Sequence, residues 1–311
     1  MTSIFFCRLS RWWCCVLLSV LIQPSLVAQT LGGKSAYPFL KLPGSPLQAA
    51  AGGVNVSNRA GEVGLTAANP ALLSRDVSKQ LNVSFNALVA GTKGYSLTGA
   101  LYSEKLQTMF GGHVFYLDYG TLSATDPAGN AMGVFRPVDY VVQVSAAKKY
   151  LEKWTYGLAI KFIRSAYGQY RSSAVASDVG VLYHDSVNAV SVSVVVKNMG
   201  AQLKTYAGET EELPFDLQAG ITKRLPKAPF GFSLTAQQLQ VFDILYRDTA
   251  FDRDNNIQSS ASFPTKLLTH LVVATHVYLG QHLEATIGYN MLQRMSLRVQ
   301  NEGNGLTGFS A

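Results

Sequence analysis

From Leu81 onward the chain alternates apolar and polar positions in stretch after stretch. Leu81-Asn82-Val83-Ser84-Phe85-Asn86-Ala87 is one example and Val190-Ser191-Val192-Ser193-Val194 another. Side chains on a strand point to opposite faces with period two, so each stretch makes one apolar and one polar face. The rhythm predicts strands over 81–90, 95–103, 107–119, 139–150, 154–167, 175–184, 187–199, 214–224, 230–239, 266–279, 283–292 and 294–300. Leu81, Val83, Phe85, Ala87 and Val89 form one outward set, Val190, Val192, Val194 and Val196 a second, and Leu283, Ala285, Ile287 and Tyr289 a third. The opposite faces carry Asn82, Ser84, Asn86, Ser191, Ser193, Glu284, Thr286 and Asn290. An outward-facing valine is expected to tolerate arginine less well than the inward Ser193.

The connections alternate in length. Gly91–Gly94, Ser103–Lys105, Leu151–Lys153 and Asp185-Ser186 read as tight turns, whereas Gly120–Val138, Ala201–Leu213 and Gln240–Thr265 read as long loops. Short turns on one side and long loops on the other, with strands long enough to cross a bilayer, describe an all-β transmembrane protein, an antiparallel outer-membrane β-barrel. A soluble β-sandwich also alternates strands and turns but explains the long strands less well. Residues 29–80 break the rhythm. They are rich in Gly, Ala and Pro and read as an N-terminal plug, with one short helix near Ala67–Leu73. Residues 81–311 are then the barrel. Leu306–Ala311 begins a new alternation and stops, which predicts a barrel incomplete at its C-terminal end, since an open edge in lipid leaves backbone groups unsatisfied.

The first 28 residues read as a signal peptide. Arg8 and Arg11 form a positive start, Cys14–Ile22 is an apolar run, and Pro24 and Ala28 precede a cleavage point before Gln29. The three cysteines, Cys7, Cys14 and Cys15, all lie in this segment, so the mature chain has neither disulfide nor thiolate. Losing two arginines lowers the formal charge from +7 to +5. With no dense Lys/Arg block, nucleic acid is not an expected partner. Charged residues make up 14% of the chain, below the roughly 25% of soluble domains. Tyr and Phe number 15 each, which suits an apolar belt with aromatic girdles.

Catalytic chemistry is hard to find. His270, His276 and His282 are spaced six apart, but no carboxylates cluster with them to complete a metal site. Asp252-Arg253-Asp254 opens like a calcium loop, yet Ile257 stands where glycine is needed and Phe263 where glutamate closes the loop. No nucleophile-elbow, zinc-protease or phosphate-loop pattern is present. The reading is a non-enzyme without cofactor or metal.

The plug sequence Asn69-Pro70-Ala71-Leu72-Leu73 resembles the N-terminal hatch of FadL-like outer-membrane barrels. Phe39–Pro43, Ala49–Gly53, Tyr119-Gly120, Val196–Gly200 and Leu213–Gly220 follow in an order similar to the PorV–PorQ family of the type IX secretion system. The resemblance implies a barrel of about 14 strands, within the even-numbered outer-membrane range. It implies no catalysis of its own, and a place in the attachment complex with PorU, PorV and PorZ. There the barrel would hold a PorZ-like surface protein while PorU joins cargo to lipopolysaccharide. Candidate partner contacts lie in two long loops: Tyr206, Glu209, Glu211 and Glu212 in one, Tyr246, Arg247, Phe251 and Arg253 in the other. Mixed charge and aromatic anchors suit docking to a protein. The alternative function is FadL-like transport of hydrophobic small molecules, which needs an apolar cavity between plug and wall.

Overall fold

The computed structural model describes residues 35–126, 128–245, 262–279, 283–297 and 306–311. The expected signal peptide lies outside them. The protein is all-β, dominated by one antiparallel sheet of twelve strands. In spatial order these are β1 (Leu81–Ala87), β2 (Lys93–Ser103), β3 (Thr108–Asp118), β6 (Val138–Tyr150), β7 (Trp154–Tyr167), β8 (Tyr170–Asp185), β9 (Val190–Lys204), β10 (Asp216–Arg224), β11 (Phe230–Ala236), β12 (Leu271–Leu279), β13 (Leu283–Asn290) and β14 (Phe309–Ser310). A separate hairpin pairs β4 (Leu122–Thr125) with β5 (Ala131–Phe135). Sequence neighbours pair throughout the large sheet, and among the described residues no pairing joins β1 to β13 or β14.

The alternation sorts the faces as expected. Leu81, Val83 and Phe85 are exposed, while Ser84, Ser191 and Ser193 are buried. The registers align exposed apolar residues into rows. Val83, Leu97, Val114, Val142, Phe162 and Val175 are successive cross-strand partners from β1 to β8. Val192, Ile221, Leu234, Val273, the half-buried Tyr289 and Phe309 form a second row from β9 to β14, offset in register from the first. One face of every strand in the sheet is therefore apolar.

The opposite face is covered by residues 36–80, whose contacts run from one end of the sheet to the other. Asn82 of β1 donates to Glu62 Oε1 at 3.1 Å. At the other end Ser310 Oγ of β14 donates to Ala50 O, and Asn290 Nδ2 of β13 donates to Gly52 O. Between them Ser96 Oγ donates to Gly44 O, and Ser57 and Thr222 share a 2.8 Å hydroxyl pair. Glycines in the wall let the segment approach. A Cβ on Gly157 would overlap the Pro70–Ala71 backbone, and one on Gly288 the Ala51–Gly52 backbone. Three buried apolar groups fill the space: Phe39 with Phe115 and Ile163, Leu73 with Val63 and Met109, and Leu65 with Leu72 and Leu182.

Several sequence expectations need correction. The plug helix is Pro46–Ala50, started by Pro46 and capped by Ser45, whose side chain accepts from Gln48 N. The short helix expected near 67–73 is a single 3-10 turn, Pro70–Leu72, with Asn69 as its cap. Residues 291–296 form a helix rather than a strand. The Asn290 side chain accepts from Leu292 N and Gln293 N, and this cap outweighs the apolar rhythm. The expected strand at 266–279 starts at Leu271, behind a short helix Phe263–Thr269 opened by Pro264. Ser193 is not beside open space either. Its Oγ accepts from Asn69 Nδ2 at 2.6 Å, so an arginine there displaces the plug.

A β-bulge marks β9. The register with β8 slips between Ser177 and Val179, and Asn198 takes a left-handed conformation, φ 58°. Its backbone N–H donates to Asp178 Oδ1, its Nδ2 to Pro214 O, and its Oδ1 accepts from Lys161 Nζ. Lys161 and Asp178, both buried, form an ion pair at 2.6 Å. The Lys197-Asn198 and Leu213-Pro214 motifs are thus two sides of one knot.

Candidate partner-docking surface at the loop end

Strand order puts the described turns at one end of the sheet within five residues: 104–107, 151–153, 186–189 and 225–229. The other end carries 119–137, 205–215, 237–270 and 291–308 beside two short turns. The loop end is closed inside by tyrosines. Tyr119 Oη donates to Asp139 Oδ2 at 2.6 Å and Tyr167 Oη donates to the same oxygen at 2.9 Å. Ser165 Oγ donates to the other carboxylate oxygen, and Asp139 is fully buried. Burial, then the bond to Asp139, pushes the Tyr119 phenol up. Tyr37 from the N-terminal segment hydrogen-bonds Ser172, and burial raises its phenol too. An ion pair of Arg136 with Asp118 fixes the return of the 119–137 connection.

The expected partner residues separate into three groups. Tyr206 turns inward: its ring lies 5.9 Å from that of Tyr167 and 6.3 Å from that of Tyr37, so it packs on the core and is half-buried. Glu209, Glu211 and Glu212 are exposed. Their loop is held by backbone, Ala36 N donating to Glu212 O at 2.9 Å and Glu211 N to Gln202 Oε1 at 2.7 Å. Three carboxylates are thus presented on a fixed loop. Tyr246, Arg247, Phe251 and Arg253 lie outside the described residues. Asn69, Pro70 and Ala71 are buried at the centre of the plug and are a packing element.

Sequence reading missed the β4–β5 hairpin, taking 120–138 as plain loop. The signal was there: Leu122-Ser123-Ala124-Thr125 and Ala131-Met132-Gly133-Val134-Phe135 flank an Asp126–Asn130 turn. The Asp126 side chain accepts from Ala128 N and Asn130 N. Phe135 lies over Gly168 of the β7–β8 turn. Met132 and Val134, on the other face, are 72% and 71% exposed. A two-stranded ribbon is marginal by itself in water, and here one apolar face has no cover among the described residues. At the base of the 237–270 connection, Phe242 and Phe263 are exposed with rings 5.6 Å apart.

Behind the loop end the space between the N-terminal segment and the sheet is small. A cavity of about 40 Å³ lies among Leu40, Leu42, His113, Phe115, Lys161 and Lys197. His270 Nδ1 bonds Gln237 O, and His276 lies between Ser233 Oγ and Thr286 Oγ1. His282 is outside the described residues. Among the described residues no group of three His, Cys, Asp or Glu side chains comes together. No family model matches the sequence, and no curated protein matches it.

Proposed function

We propose that the chain is an outer-membrane β-barrel of the PorQ type. Its loop end holds a PorZ-like surface protein, as part of the type IX secretion attachment complex with PorU and PorV, for joining cargo to lipopolysaccharide. The observation that carries the membrane half of this reading is the pair of exposed apolar rows crossing all twelve strands. Water-soluble monomers rarely expose apolar patches beyond a few hundred Å². On β7 the outward residues are Trp154, Tyr156, Leu158, Ile160, Phe162 and then Arg164. Eight residue steps from Trp154 to Phe162 are about 27 Å along a strand, the scale of a tilted hydrocarbon crossing. Aromatics collect towards both ends, with Phe85, Tyr95 and Tyr116 in contact at one and Trp154, Tyr156 and Tyr150 at the other. In this reading the edge of β1 is closed in the membrane, because an unpaired edge in lipid leaves backbone groups without partners.

The docking half is supported by the uncovered Met132–Val134 face and the fixed Glu209, Glu211 and Glu212 loop. The transporter alternative needs an apolar cavity between the N-terminal segment and the wall; the opening of about 610 Å³ there is lined largely by polar side chains, among them Asn58, Arg59, Thr222, Arg224 and Glu284. To test docking, residues 122–135 are replaced by a short Gly-Ser link in cells that carry the chain. The surface protein is expected in the medium while the barrel remains in the outer membrane at its normal level. A partner retained on the cells in wild-type amount would place the contact elsewhere.

A further inference from the structure

At the turn end lies a cavity of about 610 Å³. It is framed by the ends of β8, β9, β10, β12 and β13 and by Asn58–Ala60 of the N-terminal segment. Its size falls in the range of sites for small organic molecules.

The polar groups around it are mostly donors. Asn58 is 3% exposed, its backbone N–H is tied to Asn55 Oδ1 at 2.9 Å, and its Nδ2 is buried with no hydrogen-bond partner. An amide donor left without an acceptor is costly, and native structures keep few of them. At the rim the Arg224 guanidinium lies 4.1 Å above the Tyr278 ring. No carboxylate pairs with it among the described residues. Stacking holds the flat face of the guanidinium and leaves its N–H edge for an acceptor. Arg59 brings a second guanidinium, of which one nitrogen is bound to Asp76 at 2.7 Å. Glu284, the carboxylate in the lining, is engaged by His276 Nδ1 at 3.1 Å and Thr286 Oγ1 at 3.3 Å. His184 is tied through Nδ1 to Ser191 Oγ.

We propose that this cavity is a binding site for a small organic oxyanion, a carboxylate or a phosphate. Arg224 makes the charged contact at the rim, and Arg59 lines the same cavity. Arginine matches both anions by paired N–H donors. The site is independent of partner docking at the loop end. If the chain spans the outer membrane as proposed, the site opens to the periplasm.

The purified full chain in detergent is titrated calorimetrically with inorganic phosphate and, separately, with succinate. Saturable binding of one of them is expected, and the stronger arm identifies the anion class. Arg224→Gln should weaken that binding by about tenfold or more, the scale of one charged hydrogen-bonded contact. Arg171→Gln, at the opposite end, should leave it unchanged. Ser186→Glu puts a carboxylate at the exposed rim without disturbing packed residues, and should abolish binding while the circular-dichroism melt stays as in the wild type. The proposal is overturned if neither anion binds saturably, or if Arg224→Gln or Ser186→Glu binds as the wild type does.

Discussion

Asn69 uses both ends of its side-chain amide inside the protein. Nδ2 donates to Val56 O at 2.8 Å and to Ser193 Oγ at 2.6 Å, and Oδ1 accepts from Ala71 N at 2.9 Å. Asn69→Ala leaves these groups unpaired in a site closed to water. It should lower unfolding free energy by about 2–4 kcal/mol in urea titrations, given ~1 kcal/mol or more per unsatisfied buried group. A loss under half of the lower figure would mean that water replaces the amide. Glu62 is the other residue with a readable consequence. Burial, then the nearby Glu284, raises its carboxyl above the ordinary value of 4.5. A carboxyl with a raised folded value costs the fold when it ionises. Its stabilising neutral form is complete below the unfolded value, and the stability is lost as pH climbs through the raised one. Glu62→Gln, which can still accept from Asn82, should therefore be more stable than wild type at pH 7.5, with the difference shrinking towards pH 4. Unfolding midpoints at the two pH values check this, and a constant difference would contradict it.

At the scale of the element, strands are specified on two faces by different rules. The outward face needs only apolar bulk, which made it legible in Val190, Val192 and Val194. In a bilayer, Val194→Arg should cost about 2–4 kcal/mol near the midplane in refolding titrations with lipid vesicles. No loss there would argue against lipid on that face. The inward face is specified by shape against the plug, and glycine carries the information. Gly157→Ala should destabilise by about 2–3 kcal/mol or more, because the methyl overlaps the Pro70–Ala71 backbone. Gly112→Ala, which meets nothing within 4 Å, should be close to neutral. Period-two reading places both glycines on strands but does not tell one from the other. Helix ends were missed for a related reason. Asn290 and Pro264 act on the backbone over one turn, and an apolar rhythm over ten residues hides them.

For the whole molecule, the N-terminal segment is what the sheet is built around. Tyr37, Val56, Val63, Leu65 and Leu73 are each no more than 2% exposed. Protease added to either face of the reconstituted protein should leave residues 36–78 intact. Rapid trimming to about Leu81 would show that the segment leaves the wall easily. That this segment stands apart from the strands was legible from its low charge and its Gly, Ala and Pro content. Its contacts with β1 through Asn82 and with β14 through Ser310 were not legible, since those partners lie 20 and 260 residues away.

The sequence by itself determined an antiparallel all-β chain, the apolar and polar faces of its strands, and the contrast between short-turn and long-loop ends. Each follows from local chemistry: period-two side-chain direction and turn-forming residues. Only the tertiary structure decided which loop residues stay outside. Tyr206 folded onto Tyr37 and Tyr167, whereas Met132 and Val134 were left bare on a hairpin. It also decided that Arg59 and Arg224 line one cavity. These outcomes depend on strands far apart in the chain arriving side by side, and no window of sequence contains both halves of such a contact.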